Sequence, residues 1–217
     1  FKPLTAKLGK FHFKREKILG VVLRESEIQI CEITNHKNIW KVINFSSQEI
    51  AGLGKDQDIY NSATYLSDQV KNAMSSITSK TKDIAVSLDP LLGQIYNLQI
   101  PVMDKSDLEE TIKLSGFWEQ FEETPEKLDE YQTSYQIMSS DEEIGVMNIV
   151  LLTIEKKIVD AYSNIFRLAG YNPVVFDLAP FSHTNSHVSA IGKESLDIPI
   201  AILNYTSNAC YLVITSN

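Results

Sequence analysis

The chain has 217 residues, 43% of them hydrophobic and 22% charged, with a net charge of −8; these are the proportions of a soluble globular protein and exclude a disordered or fibrous one. No apolar run approaches the roughly 20 residues that span a bilayer, and no signal-peptide pattern opens the chain, so a soluble, unexported protein of one large domain or two sharing a core is expected. Residues 1–20 hold six bases against one acid and residues 104–143 hold thirteen acids against three bases, a distribution without the broad basic surface that nucleic acid demands.

In chain order, residues 1–17 form a basic leader, expected to be solvated unless it meets anionic lipid or an acidic neighbour. The apolar run Ile18–Leu23 predicts a first strand, and Ile28–Ile33 alternates cleanly as a second after the turn at Arg24-Glu25-Ser26. Asn35-His36-Lys37-Asn38 turns the chain into a third strand near Ile39–Phe45, completing an antiparallel meander. A loop over Gly52–Asp56 precedes the longest predicted helix, whose apolar residues Ile59, Ala63, Leu66, Val70, Ala73 and Ile77 recur at spacings of three and four. A short strand, Ile84-Ala85-Val86, ends before Asp89-Pro90. Meander, helix, strand is the opening of a ribonuclease H-like or actin-like half-lobe, although pattern alone says only mixed α/β.

The next stretch changes character. Gln94–Ile100 alternates as a strand that Pro101 closes. Asp104 is a plausible N-cap for a helix to about Ser115-Gly116, with Met103 and Leu108 placed as a hydrophobic staple and Ser106 with Glu109 as an alternative capping box. Phe117-Trp118-Glu119-Gln120-Phe121 follows as an aromatic knot, then an acidic loop with Pro125, then a strand over Tyr131–Met138. Asp141-Glu142-Glu143 turns back into Val146–Thr153, an almost unbroken apolar run that reads as a strand buried on both faces. A helix follows, with Ile158, Ala161, Tyr162, Ile165 and Ala169 on one stripe, and Gly170 supplies its left-handed C′ position. Val174-Val175-Phe176 then completes strand, helix, strand, a crossover unit of the kind that lies within a sheet. A helix from Pro180 to about Ile191 and a hairpin of Ile200–Leu203 with Cys210–Ile214 finish the chain. The expected divisions are a half-lobe over 18–92, a strand-helix-strand-strand insert over 93–154, the return of the half-lobe over 155–192, and the start of a second lobe over 193–217. That unfinished hairpin suggests a longer protein cut short, or one lacking its second lobe.

Few residues carry chemistry. Cys31 and Cys210 lie in strands without metal-ligand spacing and are expected to be reduced core residues. His183 and His187 are four apart on one helix, but with no third ligand an exposed polar face is the better reading. No Gly-x-Ser-x-Gly elbow and no phosphate-binding loop is present. A nuclease of ribonuclease H type needs a carboxylate on the first strand, where Val22 stands. The acidic insert could recruit a basic partner such as a motor protein, but a solvated surface explains it as well. The aromatic-rich set Tyr96, Leu98, Ile100, Phe117, Trp118, Phe121 and Tyr135 has two readings, the insert's own core or a groove for an extended peptide with Tyr and Trp at its edge.

The order of elements, the Ile100-Pro101 step before an acidic helix, Phe117-Trp118, the run Asp129-Glu130-Tyr131, and Ala169-Gly170-Tyr171-Asn172-Pro173 before Val174-Val175-Phe176-Asp177 together resemble the PilM family of type IV pilus assembly proteins. These are relatives of the division protein FtsA and of actin. The resemblance runs from Ile18 to about Ile214 and implies an actin-like (ribonuclease H-like) α/β half-lobe with the insert described. It further implies a cytoplasmic protein, peripheral on the inner membrane, that holds the cytoplasmic tail of the single-pass protein PilN between half-lobe and insert and works beside the pilus motor ATPases. Several relatives bind ATP between two lobes. Here Val22 stands at the metal aspartate and Arg24 at the glycine where phosphate approaches, while Asn204 and Thr206 replace an aspartate and a glycine of the second hairpin. A degenerate nucleotide site, no cofactor and a non-enzymatic scaffold are therefore expected. The alternatives are the equivalent module of a type II secretion or mannose-sensitive pilus system and, from another class, a nucleotide-driven actin homologue that polymerises.

Overall fold

The computed structural model describes residues 17–24, 26–36, 39–51, 58–119, 121, 127–191, 199–205 and 210–215. The meander is β1 (Lys17–Leu23), β2 (Glu27–His36) and β3 (Ile39–Glu49), paired antiparallel in sequence order. Helix α1 (Ala63–Ser75) then returns the chain to β4 (Asp83–Leu88), which lies parallel to β1. Further on, β8 (Asn172–Leu178) pairs parallel with β4, giving a five-stranded sheet of order β3-β2-β1-β4-β8. Alternation sets the faces: Leu19, Val21, Ile28, Ile30, Ile84 and Val86 point to one side and are essentially buried there. Leu66, Val70 and Ala73 of α1, with Ile165 and Phe166 of α4 (Lys156–Leu168), complete that core. The opposite face carries Val22, Ser87 and Asp177, which are register partners across β1, β4 and β8. Helix α5 (Ala179–Ile191) packs against β8 and β4, and its Ser182 hydroxyl donates to Asp177 on that face.

The second sheet holds β5 (Gly93–Pro101), β6 (Tyr131–Asp141) and β7 (Val146–Glu155), all antiparallel in the order β5-β7-β6. Helices α2 (Lys105–Thr111) and α3 (Ser115–Trp118) lie between β5 and β6 in the chain and add Leu108, Phe117 and Trp118 to its core. Strand β7 ties the two cores together, because Leu151 belongs to the second while Leu152 and Ile154 point the other way into the first. Gly93 marks the same junction: a β-carbon there would sit 3.0 Å from Ile154, Leu178 and the Thr153 carbonyl, so only glycine fits without displacing neighbours. Strands β9 (Ile200–Tyr205) and β10 (Cys210–Thr215) form a separate two-stranded hairpin.

Several expectations need correction. Strands β7 and β8 flank α4 but belong to different sheets, so this segment links the two sheets and is not a crossover within one. Local periodicity reports that each strand is buried but says nothing of which sheet buries it. Helix α1 is no longer than α4 or α5, at 13 residues each; Ile59 and Ile77 pack on the core from outside it. The helix after Pro101 breaks at Thr111 and resumes as α3, and Asp104 makes no side-chain cap bond. Ser106 lies inside α2, so it caps nothing. Cys210 is exposed and Cys31 only part-buried, so neither is a core residue. The end of α4 is as expected: Gly170 has φ +85, and Tyr171 N–H bonds the Phe166 carbonyl at 2.9 Å, the long bond of a Schellman stop. The leader over 1–16, the loop over 52–57 and the acidic loop over 122–126 lie outside the described residues.

Glu32 was invisible to the sequence reading as a structural residue. It is 2% exposed and accepts hydrogen bonds from Asn44 Nδ2, Ser79 Oγ at 2.7 Å and Thr81 Oγ1 at 3.4 Å. Burial works to raise its carboxyl, but the bonds from Ser79 and Asn44 and the charge of Lys17 outweigh it and hold the group low. The anion thereby ties β2 and β3 to the segment leading into β4.

Candidate functional site

Parallel strands open at their carboxyl ends, where a fold of this type presents its cleft. Here the ends of β1 and β4, the start of α5 and the β9–β10 hairpin enclose a cavity. Val22, Arg24 and Asn204, three of the four positions assigned to a degenerate nucleotide site, all line it; Thr206 lies outside the described residues. The enclosed volume is about 20 Å³, room for a water molecule, whereas pockets for small molecules usually run to roughly 300–1,000 Å³.

His183, Tyr211, Asn204 and Arg24 give the cavity most of its polar lining. His183, expected on an exposed helix face, is instead half-buried: its Nδ1 is 2.6 Å from the Tyr211 hydroxyl and 3.2 Å from Asn204 Nδ2, and its ring stacks on Tyr211 at 6.0 Å between centroids. Asn204 Nδ2 is a donor, so Nδ1 accepts and the imidazole is neutral. Burial, then the nearby Arg24 charge, pushes the His183 pKa down, in keeping with that geometry. Burial pushes the Tyr211 hydroxyl up to about 12. Arg24 has its guanidinium 3.4 Å from Glu27 Oε2, turned toward the β1–β2 hairpin. Asn204 Oδ1 is buried with no hydrogen-bond partner among the described residues. Asp177, at the end of β8, is similar: Oδ2 accepts from Ser182 at 3.3 Å, Oδ1 has no partner among the described residues, and burial raises the carboxyl to about 7. His183 and Tyr211 line the cavity without having been expected there, and Asp177 lies beside it, in register with Ser87 of the lining. The available signal was a polar residue closing an apolar run, as Asp177 closes Val174–Phe176.

The aromatic set lies elsewhere, on one face of the second sheet. Tyr96, Leu151 and Tyr135 are in register across β5, β7 and β6, as are Leu98, Ile149 and Ile137. Trp118 packs edge-on against Tyr96 at 5.7 Å and Phe117 at 5.5 Å, and Phe121 lies 5.3 Å from Tyr96. The expectation of a tryptophan at a groove edge is corrected: Trp118 is 2% exposed and donates its indole N–H to the Ile112 carbonyl at 2.7 Å. Phe117 and Ile100 are buried with it, so these three are core. Tyr96, Leu98, Phe121 and Tyr135 remain part-exposed around them. Tyr135 reaches Glu109 of α2 at 3.4 Å, and Ile137, in register on the same face and 41% exposed, extends the apolar surface along β6.

No family model matches the sequence, and no curated protein matches it. A chain of the solved PilM–PilN type IV pilus biogenesis complex overlays on it with a TM-score of 0.77 and 17% identity, covering 93% of this chain. The present chain spans 58% of that chain's length. A Bacteroides thetaiotaomicron protein described as having an actin-like ATPase fold overlays over 96% of this chain and 69% of that one, at 11% identity and a TM-score of 0.41, too loosely to carry an argument. Among the described residues no helix is long and apolar enough to cross a membrane. The fold is thus a mixed α/β one, a five-stranded mixed sheet with helices joined to a second, three-stranded sheet, and it is shared with a chain of the PilM–PilN complex.

Proposed function

We propose that this chain is a non-enzymatic scaffold of a type IV pilus assembly platform, on the cytoplasmic side of the inner membrane, that binds the cytoplasmic tail of a PilN-like membrane protein. The observation that carries the reading is the fold shared with a chain of the PilM–PilN complex across 93% of the length. The cleft chemistry supports the scaffold half of the proposal. Val22 offers no metal ligand, Arg24 has its charge beside Glu27, and the stacked His183 and Tyr211 line a cavity of only about 20 Å³. The tail would lie against Tyr96, Leu98, Phe121 and Tyr135, where aromatic area is part-exposed over a rigid buried floor.

The test is isothermal titration of the purified chain with a synthetic cytoplasmic tail of a PilN-like membrane protein from the same source. Saturable binding, weakened about tenfold by Phe121→Ala and by Tyr135→Ala, is expected for aromatic contacts at the centre of an interface. Absence of binding, or binding indifferent to both substitutions, would refute the assignment.

A further inference from the structure

We draw no further inference here: the strongest candidate, the outward apolar face of the β9–β10 hairpin with its exposed Leu203, Tyr205, Leu212 and Ile214, is bare only among the described residues, and nothing in the structure shows what covers it.

Discussion

Asp177 shows how much one residue can carry. The residue is 7% exposed, and its half-satisfied carboxyl is raised by burial from an ordinary 3.8 to about 7. Below pH 4 the folded and unfolded chains both hold the proton. As pH rises from there to about 7 the unfolded chain ionises first, so stability is lost across that window, up to roughly 4 kcal/mol, and the loss is complete above it. Asp177→Asn should therefore flatten the pH dependence, stabilising the protein at pH 8 and changing it little at pH 4, as urea denaturation at both values would show. Trp118 makes the opposite case: as a buried residue with a satisfied indole, its change to alanine should cost about 3–5 kcal/mol in the same assay, whereas Phe121→Ala should cost less and act mainly on partner binding. The sequence placed Trp118 in an aromatic cluster correctly but could not decide between core and edge. That choice depends on α2 stopping at Thr111, so that α3 can fold back over β5 and β7.

At the scale of elements, strands were legible wherever burial alternates, as in β1, β2 and β5, and Gly170 was legible because a left-handed stop admits few residues. Sheet membership was not, since β7 is apolar for two reasons at once, with Leu151 in one core and Leu152 in the other. The β9–β10 hairpin is the element held most lightly. Among the described residues it pairs with neither larger sheet, and a lone hairpin is marginal in water. Among the described residues its polar fastening is His183 Nδ1, 2.6 Å from the Tyr211 hydroxyl and 3.2 Å from Asn204 Nδ2, in a cavity that Arg24 and Asp89 also line. Because the folded pKa is depressed, this fastening is intact above the ordinary value of 6.5 and is lost as pH falls below it toward the folded pKa. Hydrogen exchange in β9 and β10, corrected for intrinsic rate, should rise on acidification below pH 6.5, and His183→Gln should remove that dependence.

For the whole molecule, the two cores share β7, and Gly93 lets the sheets meet closely. The fold class was readable because a meander followed by helix and strand has few ways to close. The cleft's lining was only half readable, because Val22 and Arg24 are placed there by their position in the first hairpin, whereas His183 and Tyr211 come together only through α5 and the hairpin. The most direct test of the account is to measure tail binding to the purified chain with and without millimolar Mg-ATP, alongside melting temperature and light scattering. The account predicts the same tail affinity in both conditions, no melting shift and no filaments. Tail binding that requires nucleotide, or scattering that grows when nucleotide is added, would contradict it and make this chain a nucleotide-driven actin homologue.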